Sequence, residues 1–535
     1  MTQVEALPRR LLQKPQDLHH RLVGDPPGQR LLGWLGPLAA AVVGGVLRFW
    51  DLANPHQLVF DETYYVKQGW SMILFGVEMR NSQQFGDKVD QAFTQGTPNV
   101  FDPTTGDLVV HPPVGKWLIG LGEWLFGIDS SFGWRVTVAA LGTVSIVMVG
   151  RAARRLLGSS LLGTIAALLL AVDGHHLVHS RTGLLDIIVM FFALSAFCAL
   201  LIDRDRTRAK LATRMVAAEA GDPPPSVRWL GPWLGLRPWR WVAAVLLGLC
   251  AGTKWSGFYV IAVFGLLTVF WDIGARRAAG IRSWLYAGVL KDGLFALVTI
   301  VPTALLVYVL SWWGWFRSEY GYNRQWALTH PSDARWAWVP DSVRSWWNYQ
   351  AQILDFHRNL STPHPYQSNP WSWLIQGRPT LFFAEYPKTG ELGCTVDLCA
   401  RIVTSVGTPT IWWAATISVA ILVFKWALAR DWRAGAILAG YAGGYLPWFL
   451  LGDRTIYAFY AVSFVPWAVL GVTYVIGMVL GPPGASRERR QAGALAVGSY
   501  LVLTVLLFAY FYPIWTAQVV PHSFWFLHMW FPSWV

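Results

Sequence analysis

Long runs of apolar residues alternate along this chain with shorter polar connections. The first run, Leu31 to Trp50, carries Arg48 as its only charged side chain. A helix of about twenty residues covers the roughly 30 Å of hydrocarbon in a bilayer. The pattern recurs, and it predicts an all-α polytopic membrane protein. We place eleven membrane-spanning helices at residues 31–50, 132–150, 156–178, 184–202, 241–253, 256–272, 285–316, 408–428, 434–451, 457–480 and 492–514.

The distribution of Lys and Arg orients these helices, because positive charge is enriched in cytoplasmic connections. If residues 1–30 form a cytoplasmic tail, every second connection should be basic, and each one is. The basic connections carry Arg151 and Arg155, Arg204 to Arg240, Arg276 and Arg282, Lys425 and Arg433, and Arg487 and Arg490. An odd number of spans then leaves the C-terminal tail, residues 515–535, outside.

Composition supports this fold class and excludes others. The chain is 54% hydrophobic and only 14% charged, whereas about 25% of the residues in a typical soluble domain are charged. The net charge of +12 could suggest a nucleic-acid partner. The arginines that would form such a surface, between Arg204 and Arg214, lie in a connection that topology already requires to be basic. We therefore predict contact with membrane lipids and no nucleic-acid partner.

Two long connections fall on the predicted outer side, at residues 51–131 and 317–407. The first precedes predicted helices two to seven (132–316), and the second precedes helices eight to eleven (408–514). Long loops in compact proteins commonly bind or catalyse. Function is therefore expected in these two connections.

Two of the four cysteines, Cys394 and Cys399, lie in the second outer connection. In an oxidising compartment we expect a disulfide between them. The alternative is a zinc site, but a C-x4-C spacing alone is a weak zinc signal without a nearby second ligand pair.

Four cations lie at predicted outer ends of helices, where the topology rule gives no reason for them: Arg135, Arg181, Lys254 and Arg454. Ionisable groups near a membrane usually pair with another group or face a water-filled cavity. Together these cations would suit the phosphate or pyrophosphate headgroup of a lipid. The alternative is pairing with carboxylates such as Asp186, or with headgroup phosphates of ordinary lipids.

Adjacent carboxylates, Asp61 and Glu62, open the first outer connection, with Tyr64 close behind as a candidate substrate contact. Asp61 could accept the proton of a hydroxyl group that attacks a sugar, while Glu62 could orient that acceptor. A sugar carried on phosphate already has a good leaving group, which cations can stabilise. One displacement would invert the anomeric centre. The alternative is a solvated acidic pair without catalytic function.

Two histidine motifs complete the candidates. His111-Pro-Pro-Val-Gly-Lys116 presents His111 and Lys116 from a stretch stiffened by two prolines, either for substrate contact or simply as a rigid turn. His175 and His179 would share one face of a helix, but the glutamate of an H-E-x-x-H zinc motif is absent. We predict interfacial histidines there and no metal centre.

Taken in order, these motifs resemble those of the protein O-mannosyltransferase family, integral membrane glycosyltransferases of the GT-C fold class. The resembling elements are Asp61–Glu62, His111–Lys116, Arg135, Arg181–Asp186, Lys254–Gly257 and Arg454–Pro466. The resemblance implies that Asp61 is the base for a Ser or Thr hydroxyl and that Glu62 supports acceptor binding. Arg135 would hold the donor phosphate, assisted by Lys254 and Arg454.

Residues 317–407 are too few for the β-trefoil MIR domain of eukaryotic members, so the chain resembles the bacterial branch. That resemblance implies polyprenyl-phosphate mannose as donor and secreted proteins as acceptors. It also implies a plasma-membrane enzyme with its active site outside and an association with the protein-export channel. No cofactor is firmly predicted, and a requirement for a divalent cation stays open.

Two alternatives remain at this stage. Another GT-C transferase could move a different lipid-phosphate-linked sugar onto lipid A or a cell-wall glycan. A membrane transporter would also place polar residues in its helices, usually near the midplane of paired repeats. Here the charges lie at helix ends and no repeat is visible.

Overall fold

The computed structural model describes residues 15–24, 28–221, 225–482 and 484–535. Residues 1–14 and 25–27 of the predicted cytoplasmic tail lie outside the described residues. Residues 222–224, in the basic connection after predicted helix four, and residue 483 also lie outside them.

The first half of the chain is almost entirely helical. Its helices are α1 (Pro15–Val23), α2 (Leu32–Phe49), α3 (Glu62–Phe75), α4 (Val89–Thr94), α5 (Val114–Phe126), α6 (Ser131–Leu157), α7 (Ser160–Ala171), α8 (Gly174–His179), α9 (Leu185–Ala220), α10 (Pro225–Leu230), α11 (Pro238–Ala251) and α12 (Gly257–Ala278). Helix α9 is longer than predicted and continues through the basic segment as far as Ala220. Residues 185–220 contain no Gly or Pro that would end the helix before Gly221.

The second half contains α13 (Trp284–Tyr286), α14 (Leu294–Ser311), α15 (Trp313–Arg317), α16 (Trp326–Thr329), α17 (Asp341–Asn359), α18 (Pro409–Ala427), α19 (Trp432–Gly444), α20 (Val465–Leu480), α21 (Arg487–Trp515) and α22 (His522–Leu527). A π-helical segment, Ala287–Gly293, joins α13 to α14. A 3-10 turn, Ala458–Phe464, leads into α20.

Within the described residues, eight helices are long and apolar enough to cross a membrane. The other three predicted spans correspond to shorter helices, α7, α11 and α19. The predicted span at 156–178 is interrupted, because the Asp173 carboxylate accepts the backbone N–H of His176 at 2.8 Å and starts α8 as a separate helix.

The first predicted outer connection contains two helices, α3 and α5, packed against each other. Their backbones meet at Gly69 and Gly120, where a Cβ on Gly120 would lie 2.5 Å from the carbonyl oxygen of Gly69. Only glycine allows this approach. A two-stranded antiparallel sheet, β1 (Met79–Asn81) with β2 (Phe101–Gly106), follows α3.

The second predicted outer connection carries helix α17 and most of a second sheet. Strands β3 (Thr380–Glu385), β4 (Cys399–Ser405) and β5 (Val519–Pro521) pair antiparallel in that order. The hydrophobic pattern predicts no strands, so the all-α description fits the helical bundle but not these connections. Cys394 and Cys399 form a disulfide beside β4.

Helix α9 runs through the centre of the bundle. It packs against α6, α11 and α12, and almost every residue from Arg181 to Leu200 is buried. A helix that is apolar on all sides requires such surroundings. Its first turn carries Asp186, so the core fixes the position of that carboxylate.

Candidate active site

Asp61 precedes α3 at the N-cap position, but its side chain makes no capping hydrogen bond. Tyr65, one turn later, donates to the Asp61 carboxylate at 3.4 Å, a long contact. The preceding residue, Phe60, has φ of 51°, a left-handed conformation that is costly for a bulky side chain. Its ring stacks on Phe382 of β3 at 4.8 Å. This packing holds the turn and leaves the carboxylate of Asp61 largely unengaged.

Glu62 is the next residue in the chain, but its carboxylate is fully engaged within the protein. It is 0% exposed and forms a two-pronged ion pair with Arg135 of α6, at 2.8 Å for each contact. It also accepts the backbone N–H groups of Val59 at 2.9 Å and Gly183 at 2.7 Å. Glu62 therefore joins the start of α3 to α6 and to the turn before α9.

Arg135 donates all five of its N–H groups within the protein. Besides Glu62, its partners are the carbonyl oxygens of Leu52, Pro55 and Gln57, at 2.9 to 3.3 Å. No donor is left for a phosphate, and only 1% of the side chain is exposed. The contacts therefore favour a positioning role for Arg135 and Glu62 over the predicted donor and acceptor contacts.

Arg181 also binds groups of the protein itself. Its guanidinium group donates to carbonyl oxygens at the end of α2 and just beyond it, including Arg48 at 2.8 Å and Asp51 at 2.9 Å. The last carbonyls of a helix lack partners within the helix, and Arg181 satisfies them. It is buried, so we replace its predicted phosphate role with that of a helix cap.

Lys254 lies between α11 and α12 and pairs with Asp186 of α9, its Nζ being 3.0 Å from each carboxylate oxygen. Pairing with Asp186 was the alternative interpretation for this cation. The ammonium also lies 4.7 Å from the ring centre of Tyr460. This pair lies near Asp61, since the charges of both Lys254 and Asp186 act on the Asp61 carboxyl group.

Arg454 differs from the other three cations because, among the described residues, its guanidinium group binds only an imidazole ring. One Nη group donates to Nδ1 of His357 at 3.1 Å, and its buried Nε has no partner. His357, on α17, donates from Nε2 to the carbonyl oxygen of Val110 at 3.0 Å. Because the guanidinium can only donate, this His357 ring is neutral.

His111 stacks on His357, with ring centres 5.4 Å apart, and its buried Nδ1 has no partner. Lys116 is fully buried, pairs with Glu78 and donates to the carbonyl oxygen of His111 at 2.7 Å. Of the two interpretations of this motif, the rigid turn therefore fits Lys116, because its bond to the His111 carbonyl holds His111 in place. Tyr64 is 59% exposed on α3.

We call Asp61, His111, Asp186, Lys254, His357 and Arg454 the Asp61 cluster. Burial raises the pKa of the Asp61 carboxyl to about 6; Lys254 opposes this shift and Asp186 adds to it. Burial, together with the charge of Arg454, lowers the pKa of His357 to about 4. Burial and the nearby cations also hold the pKa of His111 well below its usual value. At neutral pH the cluster therefore presents an ionised Asp61 beside two neutral imidazoles and two cations.

The triple-histidine segment forms a buried network. His175, His176 and His179 are each 0% exposed, so their rings face the protein interior and not lipid headgroups. Arg48 donates to Nδ1 of His176 at 2.7 Å, and Nε2 of that ring reaches Ser145 at 2.9 Å. Among the described residues, no group of three or more His, Cys, Asp or Glu could hold a metal ion.

Sequence reasoning missed His357, Glu78 and Tyr65. His357 lies in a stretch without a recognised motif, and only the fold brings it to Arg454, 97 positions later. Tyr65 could have been found, because a residue four positions after Asp61 on a helix lies above it.

Comparisons with known proteins agree with these motifs. Residues 39–218 match the family model described as dolichyl-phosphate-mannose-protein mannosyltransferase, and residues 342–534 match the C-terminal four TMM region of protein-O-mannosyltransferase. The polyprenol-phosphate-mannose–protein mannosyltransferase of Mycolicibacterium smegmatis is 36% identical over 519 residues, covering 95% of this chain and 94% of its own. The enzyme of that name from Mycobacterium tuberculosis is 36% identical, covering 95% and 93%.

Among solved structures, the S. cerevisiae protein O-mannosyltransferase Pmt1-Pmt2 complex bound to the sugar donor matches with a TM-score of 0.67. The match covers 97% of this chain and 94% of that chain at 14% identity. At this identity the likeness shows a shared fold.

The positioning role of Arg135 predicts a loss of stability when it is replaced. Arg135→Gln leaves the Glu62 carboxylate buried without its cation, and breaking a buried pair in this way costs about 3–5 kcal/mol. We expect a clearly lower melting temperature for the purified variant in detergent, whereas the exposed control Arg358→Gln should melt like the wild type. The double variant Glu62→Gln/Arg135→Gln should lose less than the sum of the single changes.

A wild-type melting temperature for Arg135→Gln, combined with weaker binding of a lipid phosphate, would contradict this assignment. Arg135 would then return as a ligand of the donor.

Proposed function

Because the chain belongs to the protein O-mannosyltransferase family, we propose that it transfers mannose from polyprenyl-phosphate mannose to Ser and Thr hydroxyl groups of exported proteins. It is a multi-pass membrane glycosyltransferase. The observation that carries the proposed chemistry is the Asp61 carboxylate, whose pKa is raised to about 6 beside the cations of the Asp61 cluster. A base with a pKa near the working pH can both hold and release a proton.

In the proposed reaction the Asp61 carboxylate accepts the proton of the Ser or Thr hydroxyl group. The hydroxyl oxygen forms a bond to the anomeric carbon of mannose as the bond from that carbon to the phosphate oxygen breaks. The electron pair leaves with polyprenyl phosphate, and the anomeric centre inverts. No acid is needed on the leaving group if cations stabilise its charge.

Arg454 is the strongest candidate for holding the donor phosphate. Its buried Nε has no partner among the residues that the structure describes, and His357 fixes the guanidinium group through one Nη. Lys254 is already bound to Asp186 but has a third N–H to offer. His111, with an unpartnered Nδ1, completes this side of the cluster. Arg135 and Arg181 hold the elements around the site in position through their buried contacts.

Acceptor recognition is proposed for the exposed surface around Tyr64 and for the connection 317–407. Tyr64 extends from the same helix turn as Asp61, and aromatic side chains suit contact with an extended peptide. An enzyme that modifies extended chains would benefit from association with the protein-export channel.

For the topology we propose eleven membrane crossings, with the N-terminus in the cytoplasm, the C-terminus outside and the active site facing outward in the plasma membrane. The eight long helices and the three shorter ones, α7, α11 and α19, supply this number. In support, the Asp61 cluster gathers at one end of the bundle, while the basic connections lie at the other helix ends.

Replacing the base tests the chemistry. Asp61→Asn should reduce transfer of radiolabelled mannose from polyprenyl-phosphate mannose to a Thr-, Ala- and Pro-rich peptide by about 10²- to 10⁴-fold, because a positioned base contributes that factor. Asp87→Asn, the same change at an exposed carboxylate of the same connection, should leave transfer unchanged.

In the wild type the rate should fall as the pH drops below about 6, since a protonated Asp61 cannot accept a proton.

Unimpaired transfer by Asp61→Asn, with the same pH profile, would remove Asp61 as the base while leaving the family assignment intact. Absence of transfer by a folded wild-type protein would point to another sugar or acceptor.

Replacing Arg454 tests the donor site. Arg454→Gln removes a charge-assisted contact to the phosphate, a type of bond worth about 1.5–3 kcal/mol. We expect kcat/KM for the donor to fall by about 10- to 150-fold, with the melting temperature and the KM for the peptide little changed. Arg358→Gln, an exposed arginine next to His357, is the matched control. An unchanged kcat/KM for the donor would exclude Arg454 as its ligand.

The topology can be tested by labelling single cysteines in intact cells. A membrane-impermeant maleimide should label Tyr64→Cys, which is exposed near Asp61, but should not label Gln491→Cys, which is exposed at the start of α21. Permeabilised cells should show labelling of both. The opposite pattern in intact cells would invert the proposed orientation.

A further inference from the structure

A cavity of about 930 Å³ lies at the far end of α6 from Arg135. Its walls come from α1, the last turns of α6, the extension of α9 and the start of α19. Arg154, in its wall, follows Arg135 by 19 positions in the same helix, so about 28 Å separates the two. The cavity is therefore distinct from the Asp61 cluster and lies across the thickness of the bundle.

Positive charge exceeds negative charge around this cavity. Of the described residues along its wall, seven are arginine and two are aspartate. Asp205 is shared by Arg155 at 2.6 Å and Arg204 at 2.8 Å, and Asp431 is held by Arg433 at 2.7 Å. Both aspartates are thus already engaged.

Two further arginines of the wall, Arg151 and Arg208, form no ion pair within the described part of the chain. Each donates to a carbonyl oxygen, that of Gly33 at 2.7 Å for Arg151 and that of Leu22 at 3.3 Å for Arg208. A carbonyl oxygen satisfies an N–H group but does not neutralise the charge. An anion in the cavity would do so.

The guanidinium groups are also held in place. Arg204 lies 3.3 Å from the ring centre of Trp432, and Arg151 lies 3.8 Å from that of Trp34. The Arg204 side chain is 6% exposed, and its buried Nε has no partner in the part of the chain that the structure describes. Stacking fixes the plane of a guanidinium group and leaves its N–H edge free to bind phosphate oxygens.

A second cavity, with both apolar and basic side chains in its wall, adjoins the first. This neighbouring cavity of about 1190 Å³ shares Leu157, Gly158 and Arg433 with it. Leu161, 59% exposed, and Met478, 42% exposed, line that second space. A ligand with a charged head and apolar chains would fit both spaces, whereas a soluble phosphate ester would use only the first.

We propose that this cavity binds the phosphate headgroup of an anionic phospholipid, with the acyl chains lying along Leu161 and Met478. The excess of arginines follows in part from the topology rule, but that rule accounts neither for a cavity nor for an unpartnered buried Nε. Basic pockets between membrane helices are suited to anionic headgroups. The proposal does not depend on the transferase chemistry.

The test is native mass spectrometry of the full chain released from vesicles of equal phosphatidylglycerol and phosphatidylcholine. The wild type should retain phosphatidylglycerol in preference. Arg151→Gln and Arg208→Gln should each weaken that retention by about fivefold, since one basic residue near a headgroup contributes about that factor. Arg206→Gln is the matched control, because Arg206 lies between two wall arginines on α9 but is exposed and stacks on Trp239.

Equal retention of the two lipids by the wild type, or an equal loss in Arg206→Gln, would overturn the proposal. Competition by glycerol 1-phosphate as strong as that by dioctanoyl phosphatidylglycerol would replace the lipid with a soluble phosphate ester. Asp61→Asn should keep normal lipid retention, which separates failure of this proposal from failure of the proposed transferase function. Retained mannosyl transfer in Arg151→Gln and Arg208→Gln verifies that each variant is folded.

Discussion

The buried ion pair between Glu62 and Arg135 is the constraint on which the active-site end of the molecule depends. Removing two charges from water is costly, and good geometry with full hydrogen bonding must compensate. Here Arg135 uses all five N–H groups and Glu62 accepts four hydrogen bonds. These bonds fasten the turn before α3 to α6 and to the turn before α9. Asp61 is held in place as part of that turn.

Glu62 and Asp61 are neighbouring carboxylates, but they differ in the number of hydrogen bonds that they accept. Glu62 is saturated, so its charge is fixed and inaccessible, whereas the described residues give the Asp61 carboxylate a single long hydrogen bond, from Tyr65. The same distinction separates the cations. Arg135 and Arg181 are directed at groups of the protein, while Arg454 keeps a buried Nε without a partner. Chemistry is therefore expected at the groups whose hydrogen-bonding capacity the fold leaves open.

The sequence predicts the helical bundle well because hydrophobic runs and basic connections are strong local signals. It fails in the connections. Strand β4 pairs with β5, which lies more than a hundred residues later in the chain. No local sequence pattern predicts such a long-range pairing. Motifs located Asp61, Glu62 and Arg135, but only the contacts distinguish their roles. His357 could not be found, since its importance arises from Arg454 and from the Val110 carbonyl.

Helix α6 illustrates why the number of arginines is a poor guide to function. Basic residues occur near both of its ends, Arg135 at one and Arg154 and Arg155 at the other. The topology rule accounts for the second group and the ion pair with Glu62 for Arg135. What neither accounts for is the guanidinium group of Arg204, which an aromatic ring holds beside a cavity whose described wall has more arginines than carboxylates. Where the described arginines outnumber the described carboxylates, an anion from solvent or from the surrounding lipid would neutralise the remaining charge.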